Sequence, residues 1–112
     1  LFLDPEVSLA PLAHAAGASM VEIHTGAYAN AFDINEREVE LELDQIALAA
    51  RAFETAGLAV HAGHGHTVRN VGALLRRYPF MELSIGHTIV SHSVEVGMAQ
   101  AVREMLEAMR RL

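Results

Sequence analysis

The chain has 112 residues, of which 52% are hydrophobic and 20% are charged, so it can form one small domain with a core and is not a disordered chain. The net charge of -6 argues against nucleic-acid binding, because there is no basic stripe to neutralise phosphates. The absence of cysteine excludes a disulfide scaffold and a thiolate metal site, and no apolar run approaches the ~20 residues of a membrane-spanning helix.

The first quarter of the chain predicts a strand end, a helix and a second strand. Residues 1–3 have the pattern of the end of a strand. Asp4 followed by Pro5 is typical of a helix start, with Asp as the N-cap and Pro at the first helical position. Gly17 is expected just after the last helical residue, and Met20–His24 is predicted to be the next strand.

The middle of the chain predicts a loop, a long helix and a third strand. Residues 27–34 are expected to form the loop, and Asn35 with Glu38 has the spacing of a capping box at a helix start. Gly57 is expected to end this helix, and residues 58–62 to form the third strand. One face of the helix is apolar at successive spacings of 4, 3, 4 and 3: Val39, Leu43, Ile46, Ala50 and Phe53.

The last part of the chain predicts two more helices around a fourth strand. Residues 70–77 form a short predicted helix that stops before Pro79, and residues 82–85 form the strand. The final helix repeats the 4, 3, 4, 3 spacing: Met98, Val102, Met105, Met109 and Leu112. We interpret its methionines as core or as a subunit contact.

Four strand–helix units in a row predict an α/β fold with a parallel sheet and crossover helices. At about 28 residues a unit, eight units need ~220 residues, close to the ~250 of a complete (β/α)₈ barrel. Four units cannot close such a barrel. We therefore expect residues 1–112 to be the C-terminal half of a single-domain TIM barrel, with the N-terminal half absent from this sequence.

Two glycine–histidine turns follow the third and fourth predicted strands: Gly63-His64-Gly65 and Gly86-His87. Glycine lets a backbone approach a ligand closely, and histidine exchanges a proton near neutral pH. In TIM barrels, the loops after strands seven and eight commonly hold phosphate, with help from helix N-termini. The two turns fall at those places if the chain is units five to eight, although a tight turn alone could account for either glycine.

Glu22 and His24 are two residues apart on one strand, so their side chains point to the same side of the sheet. If that side is the barrel interior, Glu22 faces the site as an acid, a base or a stabiliser of positive charge. The alternative is that Glu22 pairs with an arginine or makes a structural hydrogen bond.

The seven histidines raise the hypothesis of a metal site. We expect no metal, because a zinc site needs a tight tetrahedral set and no pair here has the i, i+4 spacing of ligands on a helix. His14 and His92 are interpreted as surface or packing residues. The histidines at or near strand ends are His24, His61, His64, His66 and His87.

Three motifs resemble those of the pyridoxine 5′-phosphate synthase family: V-E-I-H-T-G at 21–26, A-G-H-G at 62–65 with Asn70-Val71, and L-S-I-G-H-T-I at 83–89. The resemblance runs through essentially the whole chain in order. It implies a TIM-barrel enzyme of vitamin B6 biosynthesis, a transferase that condenses 1-deoxy-D-xylulose 5-phosphate with 3-amino-2-oxopropyl phosphate. The products are pyridoxine 5′-phosphate, phosphate and water. The resemblance also implies no cofactor, small phosphorylated substrates as partners and a homo-octamer; with the lack of a recognisable targeting signal, it implies a cytoplasmic location.

The resemblance implies roles for individual residues. His64 matches a proton donor, and Glu22 matches a glutamate that stabilises the transition state. Gly65, Gly86 and His87 match positions that bind the amino-oxopropyl phosphate or the product phosphate. His66 stands where many relatives carry a less polar residue, and we assign it no role. Because the family's other general bases lie in the N-terminal half, we expect these 112 residues alone to be inactive.

Three alternatives stay open. The chain could belong to another phosphate-binding TIM barrel, an isomerase or an aldolase, although it contains no lysine for a Schiff base. It could also be a non-catalytic half-barrel that binds phosphate passively. The third alternative is a histidine-rich metal-binding module.

Overall fold

The computed structural model describes residues 1–111, and it confirms the predicted α/β class with an all-parallel sheet. Four strands pair in chain order, β1-β2-β3-β4, so helical segments cross over between neighbouring strands. This is the arrangement expected of half of a (β/α)₈ barrel. The elements in chain order are β1 (Phe2–Leu3), α1 (Leu9–Ala15), β2 (Met20–His24), α2 (Gly26–Ala31), α3 (Glu36–Thr55), β3 (Ala59–Gly63), α4 (Val71–Arg77), β4 (Glu82–Ser84), α5 (His87–Val96) and α6 (Met98–Arg110).

The two faces of the sheet differ in chemistry. Residues that pair across parallel strands share a face, and Glu22 pairs with His61, which pairs with Glu82. This polar face is the one that would line a barrel interior. The opposite face carries Ile23 and Val60, which are buried with Phe53 of α3 in the main core. Burial of each large apolar side chain stabilises the fold by roughly 1.5–3 kcal/mol.

The long helix α3 forms as the sequence predicts. The Oδ1 atom of Asn35 accepts a hydrogen bond from the backbone N–H of Glu38 at 2.9 Å, which confirms the N-cap. The reciprocal bond of a full capping box is not made, because the Asn35 N–H donates to the carbonyl of Ala31 instead. Val39 is half-buried, and the rest of the predicted stripe is buried: Leu43, Ile46, Ala50 and Phe53.

The predicted start of the first helix at Asp4 is wrong. The helix begins at Leu9, and the preceding residues form turns in which the N–H of Glu6 donates to the carbonyl of Asp4. Pro11 gives the physical reason. In a helix that began at Pro5, Pro11 would be interior and would remove a hydrogen bond, whereas a start at Leu9 places it in the first turn.

Two helices lie where none was predicted from the sequence. The short α2 occupies most of the predicted loop 27–34, where the alanine-rich sequence favours a helix but is too short to show a period. The second is α5, which has no buried residue and is separated from α6 by Gly97 at φ +85°.

The final helix is confirmed as α6, although its buried face differs from the predicted stripe. Ala101 and Met105 are buried, whereas Met98 and Val102 are exposed. Leu112 of the predicted stripe lies outside the described residues. None of the helices within residues 1–111 is both long enough and apolar enough to cross a membrane.

Candidate functional site

A cleft of about 890 Å³ lies at the carboxyl edge of the sheet. It forms there because the carboxyl ends of neighbouring parallel strands meet at one edge, and β1 contributes Phe2 to its wall. The structure brings into this one cleft all five residues that the sequence analysis singled out: Glu22, His64, Gly65, Gly86 and His87.

Glu22 lies on the polar face of β2 and is hydrogen-bonded to the neighbouring strand end. The Oγ of Ser84 donates to its Oε1 at 2.5 Å. Gly63 leaves room for this carboxyl group, because a Cβ at position 63 would come within 2.7 Å of the Cδ of Glu22. The sequence left two structural alternatives for Glu22, an ion pair with an arginine or a hydrogen bond. The structure contains the hydrogen bond.

The turn of residues 63–66, here called the first turn, has an uncommon backbone. His64 has φ +88°, the one positive φ outside glycine within residues 1–111, and Gly65 follows at φ +82°. A non-glycine residue in this region is strained by about 1–2 kcal/mol. Position 65 also requires glycine because a Cβ there would lie 2.5 Å from the Cβ of Ala29 on α2.

The imidazole of His64 is stacked on that of His24. The ring centroids are 4.7 Å apart and the planes differ by 21°. His24 is held in turn by the backbone N–H of Gly26, which donates to its Nδ1 at 3.3 Å, and by the edge of the Phe2 ring. A Cβ at position 26 would come within 2.5 Å of His24 and 3.1 Å of His64, so Gly26 makes the stack possible.

Two buried side chains hold the three carbonyl groups of residues 63–65. The Oγ1 of Thr25 lies 2.8 Å from the carbonyl oxygens of both Gly63 and His64. The Nδ2 of Asn70 donates to the carbonyl of Gly65 at 3.0 Å. This function was not predicted from the sequence, although both residues lie within the motifs at 21–26 and 62–71.

His66 is the third buried polar residue of this region, with 2% of its surface exposed. Its Nε2 lies 2.8 Å from the Oγ1 of Thr25, and its buried Nδ1 has no hydrogen-bond partner among residues 1–111. Burial lowers the pKa of His66 to about 4, because the protein removes the hydration of the charged imidazolium; the charge of Glu22 partly opposes this effect and that of His64 adds to it. His66 is therefore neutral at pH 7.

The turn of residues 85–87, here called the second turn, is more open. Gly86 precedes α5, and a Cβ at position 86 would meet no atom within 4 Å in residues 1–111 other than its chain neighbours. The first N–H groups of an α-helix have no partner within the helix, and the helix dipole makes this end favourable for anions. Since His87 is the first residue of α5 and lines the cleft, the second turn presents a helix N-terminus to it.

The remaining strand histidine, His61, is the strand neighbour of Glu22 but does not line the cleft. It pairs with Glu82 across the polar face, with Nδ1 and Oε2 3.5 Å apart. Within residues 1–111, no three histidine, aspartate or glutamate side chains are grouped closely enough to hold a metal ion.

Comparisons with known proteins agree with the motifs. A family model described as "Pyridoxal phosphate biosynthesis protein PdxJ" matches residues 1–111. Pyridoxine 5′-phosphate synthase of Magnetococcus marinus is 47% identical over 110 residues, covering 98% of this chain and 44% of that protein. The synthase of Akkermansia muciniphila is 47% identical over 113 residues, covering 100% of this chain and 45% of that protein. The chain thus spans less than half the length of these relatives and belongs to the PdxJ family of pyridoxal phosphate biosynthesis proteins.

Proposed function

We propose that this chain is the C-terminal half of a pyridoxine 5′-phosphate synthase. The complete enzyme would condense 1-deoxy-D-xylulose 5-phosphate with 3-amino-2-oxopropyl phosphate to give pyridoxine 5′-phosphate, phosphate and water. The observation that carries the proposal is the single cleft at the carboxyl edge of the sheet, which gathers the five motif residues in a chain 47% identical to such synthases.

The two turns would bind the phosphate of the amino-oxopropyl substrate or of the product. Gly86 leaves free space beside the N-terminus of α5, where an anion would meet the N–H groups at the start of the helix. His87 and Gly65 line the same cleft and would contact the phosphate from either side. The cleft would thereby hold the amine at a constant distance from the acid and base groups.

His64 would act as the proton donor. Condensation of the amine with the ketone forms a carbinolamine, whose hydroxyl group leaves as water once it takes a proton. An imidazolium can supply that proton near neutral pH. The support is geometric: the left-handed turn and the stack on His24 hold the His64 ring in one orientation within the cleft.

Glu22 would stabilise the positive charge that develops on the imine nitrogen. A carboxylate acts more strongly on a nearby charge when the site is shielded from water. The hydrogen bond from Ser84 supports this role, because it keeps the carboxylate oriented without neutralising it.

The complete protein would act as a homo-octamer in the cytoplasm, without a metal or an organic cofactor. The 112 residues alone would be inactive. Both β1 and β4 present an unpaired strand edge within residues 1–111, where the other units of a barrel would add their strands and the remaining acid and base groups.

The test is to offer both substrates to the full-length protein that contains this chain, and to identify pyridoxine 5′-phosphate by mass spectrometry. We expect product from the wild type and from His14→Gln, an exposed control on α1, and at least a hundredfold lower kcat from His64→Asn, in the range of general acid catalysis. Absence of product from the wild type would refute the proposal, and binding of phosphate without turnover would then favour a non-catalytic phosphate-binding protein.

A further inference from the structure

A buried hydrogen bond joins His66 and Thr25. The chemistry of the two groups determines which of them is the donor. The hydroxyl of Thr25 has one proton and three neighbours at 2.8 Å: the carbonyl oxygens of Gly63 and His64, and the Nε2 of His66. Carbonyl oxygens only accept hydrogen bonds, so the proton of the hydroxyl must point toward them. The Nε2 of His66 must then carry a proton and donate it to the Thr25 oxygen.

The other ring nitrogen agrees with this tautomer. The Nδ1 of His66 is buried, and no group in the described part of the chain forms a hydrogen bond with it. A buried N–H without an acceptor is rarer and more costly than a buried acceptor without a donor, so the bare lone pair belongs on Nδ1. The low pKa of His66 is consistent with a ring that keeps a single proton.

The resulting chain of hydrogen bonds ends on the residue with the strained backbone. It runs from His66 Nε2–H to the Thr25 oxygen, and the single proton of that hydroxyl is shared between the carbonyls of Gly63 and His64. Hydrogen bonds in such a chain polarise and strengthen one another. A strained φ persists only where the surrounding structure maintains it, and these hydrogen bonds reach the carbonyl of His64 itself.

We propose that His66 is a positioning residue for His64, acting through the hydroxyl of Thr25. The orientation of that hydroxyl, and not only its presence, would hold the first turn in its left-handed form and direct the His64 ring into the cleft. The catalytic part of this inference rests on the proposed function, whereas the tautomer and the restraint do not.

The variants distinguish the effect of losing the hydrogen-bond donor from the effect of changing the side-chain volume. His66→Leu removes the donor and keeps an apolar group of similar size, and His66→Gln restores an N–H near the position of Nε2. Thr25→Val removes the hydroxyl, and Thr25→Ser keeps it. His14→Leu makes the same exchange as His66→Leu on the exposed face of α1 and serves as the matched control.

In the full-length protein, we expect His66→Leu and Thr25→Val each to lower kcat by about tenfold with little change in KM, since a small misplacement lowers the rate and not substrate affinity. His66→Gln and Thr25→Ser should recover part of the loss, and His14→Leu should keep the wild-type rate. The double variant His66→Leu/Thr25→Val should have a kcat no lower than that of Thr25→Val alone, because both substitutions interrupt the same series of hydrogen bonds. A wild-type kcat in His66→Leu, or additive losses in the double variant, would overturn the proposal.

A measurement independent of turnover distinguishes this inference from the proposed function. Solid-state NMR of the full-length protein with ¹⁵N-labelled histidine rings reports which nitrogen of each ring is protonated, and the spectrum of His66→Leu identifies the His66 signals. We expect Nε2 protonated and Nδ1 bare at pH 7, and a displacement of the His64 signals in His66→Leu. The opposite tautomer, or unchanged His64 signals, would overturn the positioning function even if pyridoxine 5′-phosphate is formed.

Discussion

The two glycine–histidine turns lie on adjacent strands of one sheet, yet they are built in opposite ways. The first turn is held by buried Thr25, His66 and Asn70 and contains a strained His64. The second turn has an unobstructed Gly86 and opens into α5, which has no buried residue. One wall of the cleft is thus held by buried side chains, whereas the other has free space around Gly86 within residues 1–111.

The largest effect is expected at the first turn from Gly65→Ala. The substitution combines a positive φ with a Cβ only 2.5 Å from that of Ala29, and it should lower the free energy of unfolding by about 3–4 kcal/mol. The measurement is urea unfolding of the full-length protein. Gly17→Ala is the matched control. Gly17 has φ +83°, but a Cβ there would meet no atom within 4 Å in the part of the chain that the structure describes, apart from its chain neighbours, so only about 1–2 kcal/mol of strain is expected. Equal losses in the two variants would contradict the role of the packing against α2.

The next effect concerns pH and the buried His66. In the unfolded chain histidine binds a proton below about pH 6.5, but in the folded protein the pKa of His66 is about 4. The unfolded state therefore binds more protons between these values. The contribution of neutral His66 to the free energy of unfolding is fully present above about pH 6.5. About 3 kcal/mol of it should be lost as the pH drops to 4.

The measurement is the free energy of unfolding at several pH values, compared between the wild type and His66→Leu. The curve of His66→Leu should be flatter between pH 6.5 and 4, since only the wild type must protonate this buried ring on unfolding. Parallel curves for the two proteins would show that His66 is not buried in its neutral form.

A smaller effect is expected from Asn70→Ala, which removes the bonds from Asn70 Nδ2 to the Gly65 carbonyl and from the Thr67 N–H to Oδ1. Two lost hydrogen bonds in a buried region should cost about 2 kcal/mol in urea unfolding. Asn35→Ala is the control, because Asn35 is an exposed N-cap that should cost only about 1 kcal/mol. A larger loss from Asn35→Ala would mean that the first turn is not restrained by Asn70.

The smallest effect on stability is expected at the second turn. Gly86 has φ -135° and free space around it, so Gly86→Ala should change the free energy of unfolding by less than about 0.5 kcal/mol. The added methyl group would nevertheless occupy the space proposed for phosphate, and the KM for the amino-oxopropyl substrate should rise. Steady-state kinetics and urea unfolding together test this, and a large loss of stability with an unchanged KM would reverse the comparison of the two turns.

Much of the fold could be predicted from local patterns. The spacing of Leu43, Ile46 and Phe53 identified α3 and its buried face, since a helix repeats every 3.6 residues. The predictions failed where a local sequence motif was incomplete or was read without the residues that follow it. Asp4-Pro5 resembled a helix start, but Pro11 moved the start to Leu9.

The sequence alone determined which residues meet in the cleft, because parallel strands bring their carboxyl ends to one edge and Glu22, His64 and Gly86 lie at or just beyond those ends. Only the tertiary structure decided how they are held. His64 has a left-handed φ, its ring is stacked on His24, and its carbonyl contacts the hydroxyl of Thr25. These two contacts join residues that are about 40 positions apart in the chain. No local pattern encodes such contacts, since the free energy that maintains them comes from burial and from hydrogen bonds formed only after the strands have paired.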